Sequence, residues 1–114
     1  IVEVDAGRVM LKMKVRREML NGFGVCHGGI AFSLADSAFA FASNTHGRVS
    51  LALDASISYP VKVLEGDVLT AVAEEESLTH RIGIYTITVT NQNGEKVALF
   101  RGTVYRTDKP YPST

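Results

Sequence analysis

Hydrophobic and polar residues alternate near the start of the chain with the two-residue period of a β-strand. The apolar positions of this pattern are Val9, Leu11, Met13 and Val15. Residues 8–16 are therefore predicted to form a strand with one buried face. A second apolar run occupies residues 1–4, and the sequence Asp5-Ala6-Gly7 between the two runs is suited to a turn that joins antiparallel strands. The chain is thus predicted to open with a β-hairpin.

The next segment changes from glycine-rich to almost wholly apolar. Residues 17–29 contain several glycines, which predicts a loop. From Gly28 to about Asn44, alanine and large apolar side chains dominate and proline is absent, which predicts one helix of about four to five turns. The helix is expected to end near His46-Gly47. Because almost no polar side is left, we expect the rest of the protein to enclose this helix on most sides.

Four more strands are predicted after the helix, because β-branched and alternating residues recur there between turn signals. They cover residues 50–59, 67–77, 81–91 and 95–106. In the first of them one face is expected to carry Leu51, Leu53, Ala55, Ile57 and Tyr59. Short links favour an antiparallel meander of these four strands. Two strands, one helix and four strands give an α+β fold in which one curved antiparallel sheet packs against one helix.

Length and composition limit the classes of function. The chain has 114 residues, 46% of them hydrophobic, enough for one globular domain, which we place at residues 1–107 with 108–114 as a C-terminal tail. Twelve basic residues balance twelve acidic ones, so nucleic acid is not an expected partner. No segment is apolar for long enough to span a membrane. One cysteine, Cys26, can form no internal disulfide, which favours a cytoplasmic location, and the spacing of the histidines suggests no metal site.

Asp36 is the only charged residue between His27 and His46. Aspartate is a poor helix former in the middle of a helix, where no N-terminal dipole stabilises it. One interpretation is that Ser33, Asp36 and Ser37 form a narrow solvent-facing stripe. Such stripes normally carry lysine, glutamate or arginine, and this one carries none. We therefore favour a functional or interface carboxylate.

The predicted helix is preceded by the sequence Cys26-His27-Gly28-Gly29. The first backbone N–H groups of a helix lack partners within the helix, and the helix dipole is positive there. With glycine at this point a thioester carbonyl can reach those N–H groups directly, which is the electrostatic arrangement that acyl transfer requires. The alternative is an ordinary glycine-rich turn into the helix, with His27 as a hydrogen-bonded supporting residue.

The segment NGFGVCHGGIAFSLADSAFAFASN resembles the phenylacetate-degradation (PaaI-type) branch of the hot-dog thioesterases. The later segments LDASISYPVKVLEGDVLTAVAEEES and TITVTNQNGEKVALFRGTVYR are similar to strands of that branch, so the resemblance covers about residues 8–107. It implies a hot-dog fold, in which the sheet wraps around one central helix. It also implies that Asp36 is the general base or nucleophile and that the N–H of Gly28 polarises the thioester carbonyl. Asn21 and His27 are expected to position water and substrate.

The resemblance further implies an enzyme that hydrolyses aryl or medium-chain acyl-CoA thioesters, with coenzyme A as part of the substrate and no separate cofactor. A related branch that acts on hydroxybenzoyl thioesters has glutamate in place of Asp36 and a hydroxyl residue one turn later, where this chain has Ala40. Phenylacetyl-CoA or hydroxyphenylacetyl-CoA is therefore the expected substrate. The alternatives are a non-catalytic acyl-CoA-binding protein and an enoyl-CoA hydratase. The hydratase needs a histidine close to the aspartate, and none follows Asp36 at helical spacing.

Helix geometry predicts an oligomer. Gly28 and Asp36 are eight residues apart, which is about 12 Å along a regular helix. One thioester carbonyl cannot contact both, so one subunit would hold only half a site. A two-fold pairing would bring Asp36 of one chain near Gly28 of the other. We expect a homodimer at least. A homotetramer made of two such dimers is the favoured assembly, but helix geometry does not decide between dimer and tetramer.

Three phenylalanines near the loop and the helix are candidates to line the acyl site: Phe23, Phe32 and Phe39. Aromatic side chains often line such sites. Phenylalanines at these spacings are nevertheless more often plain core residues, so both interpretations stay open at this point.

Overall fold

The computed structural model describes residues 3–5, 7–16 and 28–110. Their elements are β1 (Glu3–Asp5), β2 (Arg8–Lys14), α1 (Gly28–Ser43), β3 (Arg48–Ser58), β4 (Val68–Leu78), β5 (Ile82–Thr90) and β6 (Lys96–Pro110). The predicted order of two strands, one helix and four strands is confirmed, and with it the α+β class. β6 continues to Pro110 instead of ending at residue 106, so residues 108–110, expected in the C-terminal tail, are part of the sheet.

All six strands form one antiparallel sheet in the order β1-β2-β4-β5-β6-β3. β4, β5 and β6 form the expected meander, but the prediction is wrong for β3, which pairs with β6 at the far edge. The link over residues 59–67 is long enough to cross three strand spacings, about 14 Å at about 4.8 Å each. Val63 in this link is buried and Val61 packs against the core, so apolar contacts hold the crossing segment in place.

The hydrophobic core lies between α1 and the face of the sheet that α1 covers. Small residues bring the helix close to the sheet, and the buried alanines of α1 are Ala31, Ala35, Ala38 and Ala42. Phe39 is only 3% exposed, and a Cβ atom added to Gly102 of β6 would lie 2.5 Å from its ring. Gly102 therefore sets how closely α1 approaches the sheet.

The side of α1 that faces away from the sheet is exposed. Phe32 and Phe41 are 37% and 45% exposed. The smaller exposed residues of this face are Ser33, Asp36, Ser37 and Ala40. The expectation that the helix would be enclosed on most sides is therefore wrong for one protomer. A single sheet covers only one side of a helix, and the part of the chain that the structure describes adds no second layer.

β3 is exposed along most of its length, and Leu51 in its first half is 54% exposed. A β-bulge at residues 52–54 shifts its pairing with β6. Leu51 is opposite Tyr105, whereas Ala55 is opposite Gly102, and directly opposed residues point to the same side of a sheet. Leu51 and Ala55 therefore lie on different faces. The prediction that five alternate residues of this strand share one face is wrong, because the bulge adds a residue to the period.

Candidate active site

α1 carries two of the predicted catalytic positions, Gly28 and Asp36. It begins at Gly28 and ends at Ser43, so Gly28 and Asp36 lie in one helix, about 12 Å apart along its axis. Asp36 is exposed, and its carboxylate has no hydrogen bond or ion pair with any residue that the structure describes. One protomer therefore presents an unpartnered carboxylate. The start of the helix is too far from that carboxylate for both to act on the same carbonyl.

The start of α1 is suited to binding an oxygen that carries negative charge. Gly28 is the first residue of the helix, and no acidic residue lies in the first turn. Nothing in that turn neutralises the positive end of the helix dipole, and the N–H groups there have no partner within the helix. The backbone at this point can stabilise the oxyanion that forms when a thioester carbonyl is attacked.

Two of the three candidate phenylalanines are among the described residues, and they lie in different surroundings. Phe39 is buried, with ring centroids 6.0 Å from Tyr85 and 5.4 Å from Phe100, which favours the core interpretation for this residue. Phe32 packs against Phe100 at 5.7 Å but keeps 37% of its surface exposed on the side of α1 that carries Asp36. Three predicted site residues lie outside the described residues, and their roles stay predictions: Asn21, Phe23 and His27.

A groove of about 190 Å³ begins next to Asp36 and follows the exposed side of α1. Its lining residues are Ser37, Ala40, Phe41 and Asn44. Ala40 and Asn44 follow Asp36 in steps of four residues, so the three lie along one side of the helix. The Nδ2 group of Asn44 donates to the Ala40 carbonyl at 2.7 Å, and its Oδ1 accepts from the Ser50 N–H at 3.0 Å. Sequence reasoning missed Phe41 and Asn44, although the four-residue spacing from Asp36 was a signal that could have found Asn44.

A larger cavity, of about 310 Å³, lies on the face of the sheet that points away from α1. Among its lining residues are Ser56, Thr86 and Arg101, which are paired across β3, β6 and β5 and point away from the helix. The sheet separates this cavity from Asp36. It therefore cannot hold a group that reacts with that carboxylate.

A polar cluster that the sequence did not predict holds the C-terminal end of α1. His46 Nε2 and the Tyr85 hydroxyl lie 2.6 and 3.0 Å from the same oxygen, Oε1 of Glu75. Burial raises the pKa of Tyr85 far above its usual range, and the hydrogen bond to Glu75 raises it further. The phenol therefore stays neutral and donates to the carboxylate. The cluster ties the turn after α1 to β4 and β5, and so limits movement of the helix that carries Asp36.

Within residues 3–5, 7–16 and 28–110, no three histidine, cysteine, aspartate or glutamate side chains come close enough together to hold a metal ion. In the same parts of the chain, no helix is both long and apolar enough to cross a membrane. The expectation that the protein uses no metal and no separate cofactor stays a prediction.

Comparison with known proteins assigns the chain and its fold to a family. The model of the thioesterase superfamily matches residues 23–98, two thirds of the 114 residues of the chain. The chain belongs to the thioesterase superfamily. It is therefore an enzyme that hydrolyses thioesters.

Individual relatives of this thioesterase resemble it over most of its length. The acyl-coenzyme A thioesterase PaaI of Escherichia coli K12 is 42% identical over 106 residues, which are 93% of this chain and 76% of that one. The structure of the E. coli PaaI protein from the phenylacetic acid degradation operon has a TM-score of 0.90 at 40% identity, covering 93% of this chain and 77% of that one. A Streptococcus mutans structure bound to acetyl-CoA has a TM-score of 0.91 at 29% identity, covering 96% and 89%. The predicted hot-dog fold and the resemblance to the PaaI-type branch are confirmed.

Proposed function

We propose that this thioesterase hydrolyses acyl-CoA thioesters whose acyl group is aryl or of medium length, with phenylacetyl-CoA and hydroxyphenylacetyl-CoA as its best substrates. The observation that carries the proposal is Asp36, an exposed carboxylate in the middle of α1 with no partner among the described residues. Similarity to the acyl-coenzyme A thioesterase of E. coli and to a S. mutans protein that binds acetyl-CoA supports coenzyme A as the leaving group. A cytoplasmic location is part of the proposal, because the sequence has a single cysteine.

In the proposed reaction Asp36 acts as a general base on water or as the nucleophile itself. The carbonyl oxygen of the thioester accepts a hydrogen bond from the N–H of Gly28, which stabilises the negative charge that develops during attack. The bond between the carbonyl carbon and sulfur breaks, and coenzyme A leaves as the thiol. One water molecule is consumed, and the acyl group leaves as the carboxylic acid. Asn21 and His27 help to position the water and the substrate.

The two halves of the site come from two subunits in this proposal. The reacting carbon has to lie within about 3–3.5 Å of the attacking atom, and its oxygen has to reach an N–H group. A separation of about 12 Å along one helix prevents this within one chain. A two-fold axis that sets two α1 helices side by side and antiparallel brings Asp36 of one chain near the partner subunit's Gly28.

The exposed surfaces of one protomer support such a pairing. β3 is an edge strand, yet its Leu51 and Leu53 are 54% and 56% exposed, whereas edge strands of monomeric proteins are usually charged, short or covered. Phe32 and Phe41 add exposed apolar area on α1. A second copy that adds its own β3 at the edge and its own α1 beside the helix would cover both surfaces. We propose a homodimer of this kind, and a homotetramer of two dimers.

The catalytic role of Asp36 is tested by the variant Asp36→Asn, which keeps the shape of the side chain and removes its charge. We expect the rate of thiol release from phenylacetyl-CoA to fall by on the order of a hundredfold or more. Glu65→Gln is the matched control, because it removes another exposed carboxylate away from α1. Circular dichroism checks that both variants fold. Near-normal turnover by folded Asp36→Asn protein would show that the carboxylate is not catalytic.

The shared site is tested by mixing two inactive proteins, Asp36→Asn and Gly28→Pro, the second of which lacks the backbone N–H. In a mixed dimer one interface site is intact and the other carries both changes. We therefore expect part of the activity to return after unfolding and reassembly together. Verified mixed dimers without recovered turnover, or a fully active monomer, would rule out a site that crosses subunits.

A further inference from the structure

Glu75 of β4 lies on the face of the sheet that α1 covers, where the apolar core gives way to polar contacts. Ala71 and Ala73 of the same strand are buried, and Glu75 follows them in the same two-residue alternation. Its Oε1 atom accepts a hydrogen bond from the Tyr85 hydroxyl at 3.0 Å and lies 2.6 Å from His46 Nε2. One carboxylate oxygen is therefore bonded both to the core of the sheet and to the turn that follows α1.

The first of these contacts holds the turn after α1. His46 is three residues beyond Ser43, where α1 ends. The backbone of Gly7 reinforces the contact, because its N–H donates to Thr45 Oγ1 at 2.7 Å and its carbonyl accepts from the Glu75 N–H at 2.8 Å. Gly7 has a φ of +76°, and a Cβ atom there would lie 3.0 Å from the Glu75 side chain, so only glycine leaves room for the carboxylate. The turn is thus fixed to β4 by side chain and by backbone.

The second contact reaches the middle of the helix. The Tyr85 ring is fully buried, and its centroid lies 6.0 Å from that of Phe39 in an edge arrangement. Phe39 comes three residues after Asp36, which is about one turn of the same helix. By accepting the hydrogen bond from Tyr85, Glu75 holds the ring against which this part of α1 packs.

The remaining contacts of α1 with the sheet interlock only weakly. Alanine dominates its buried face, at Ala31, Ala35, Ala38 and Ala42. An alanine side chain buries apolar area but forms only a shallow ridge on the helix surface, so such a face opposes separation from the sheet more than it opposes sliding along it. A misplacement of about 1 Å can cost on the order of a hundredfold in rate. The contacts that fix α1 along the sheet therefore bear on catalysis.

Resting on the proposed function, we propose that Glu75 is a positioning residue of this thioesterase, which holds α1 where Asp36 reaches the thioester carbonyl. Glu75 lies on the sheet side of α1 and Asp36 on the side that faces away, so Glu75 acts through the helix and not on the substrate. Its removal should lower kcat and leave KM unchanged, because no group that contacts the substrate is lost.

The test compares Glu75→Ala with Glu75→Gln by the rate of thiol release from phenylacetyl-CoA or octanoyl-CoA, whichever the wild type hydrolyses faster. Glu75→Ala loses both hydrogen bonds, and we expect kcat to fall about tenfold. Glu75→Gln keeps an oxygen that can accept both bonds, so its kcat should stay within about threefold of the wild type. Glu76→Ala is the matched control, because it removes the neighbouring carboxylate, which accepts from Thr86 Oγ1 at 2.6 Å on the other face of the sheet. Its kcat should equal that of the wild type.

A double-mutant cycle distinguishes positioning from a loss of stability. If Glu75 acts through Asp36, Glu75→Ala should lower kcat by less than about twofold in the Asp36→Asn background, where no carboxylate is left to misplace. A purely structural defect would lower the rate by the same factor in both backgrounds. Rates are expressed per folded protein, with the folded fraction taken from circular dichroism. If Glu75→Ala does not fold, His46→Ala removes only the contact at the turn, and the same cycle is run with an expected fall of about threefold.

The results also separate this inference from the proposed function. An unchanged kcat in the folded variant, an equal fall in both backgrounds, or a fall in Glu75→Gln as large as in Glu75→Ala would overturn the positioning role. The proposed function would stand in each of these cases, provided that Asp36→Asn has lost its activity. Near-normal turnover by Asp36→Asn would overturn the catalytic role of Asp36 and the positioning role with it.

Discussion

The packing of Phe39 of α1 against Gly102 of β6 predicts the effect of one added methyl group. In Gly102→Ala the new Cβ atom would lie 2.5 to 2.8 Å from three atoms of the Phe39 ring, where ordinary contacts are 3.4–4 Å. The ring, and the helix that carries it, would have to move by about 1 Å. Inserting a methyl group into a packed core costs about 1–3 kcal/mol, and replacing a strand glycine by alanine returns about 0.5–1 kcal/mol of that. From the middle of these two ranges we expect a net loss of about 1 kcal/mol in the free energy of unfolding.

The shift should also lower activity, because Asp36 is one turn from Phe39 on the same helix. A misplacement of about 1 Å can cost on the order of a hundredfold in rate, so we expect kcat to fall by tenfold or more in protein that is still folded. Stability is measured by urea denaturation at one fixed protein concentration, since the stability of the proposed oligomer would depend on concentration.

A double-mutant cycle tests the physical reason directly. Phe39→Leu removes the atoms with which the new methyl group would collide, so the cost of Gly102→Ala should largely disappear in that background. Gly83→Ala serves as a graded comparison, because its Cβ would meet its neighbours at 3.0 Å or more and should cost less. Equal stability of Gly102→Ala and wild type, or strict additivity of the two changes, would refute the reasoning.

Three smaller predictions follow from other contacts. Tyr85→Phe removes one of two hydrogen bonds to Glu75 and should lower the free energy of unfolding by about 1–2 kcal/mol, measured by urea denaturation. The Arg81 guanidinium holds the pKa of Asp108 below its usual value of 3.8. The pair should therefore stabilise the folded state above pH 3.8, and this stability should be lost as the pH falls from 3.8 through the lowered pKa. Asp108→Asn should abolish this part of the pH dependence in acid unfolding. Leu53→Lys places a charge on the exposed edge strand and should shift the protein toward monomer in sedimentation velocity, whereas unchanged association would exclude β3 from the subunit interface.

Local patterns predicted most of the elements. The alternation predicted for residues 8–16 is confirmed, since Val9, Leu11 and Val15 are buried. α1 was predicted from its apolar composition and lack of proline to within a residue or two. These elements follow from backbone periods that a short stretch of sequence displays. The same short-range reasoning fails for β3, because its partner strand is chosen by contacts with a distant part of the chain.

In the candidate site, too, a residue marked by a local pattern was predicted, whereas contacts between distant parts of the chain were not. Asp36 stood out because a lone carboxylate in an apolar helix violates a local rule. Phe39 could not be assigned to core or pocket from spacing alone, because that depends on Gly102, 63 residues away on β6. The His46 and Glu75 pair is also a contact over 29 residues, and nothing in the residues next to either side chain indicates it.

The position of β3 affects how the chain folds as it is synthesised. Along the chain, Leu99 of β6 comes 41 residues after its partner Ser58, and Pro110 comes 62 residues after its partner Arg48. At about 5–20 residues per second, β3 would leave the ribosome about 2–8 seconds before the first of its partners. During that interval an apolar strand has two unpaired edges, and sheet formation with such distant partners is slow. β6, the last strand in the part of the chain that the structure describes, therefore closes the sheet. A chain released before β6 is made would carry β3 as an open template for aggregation.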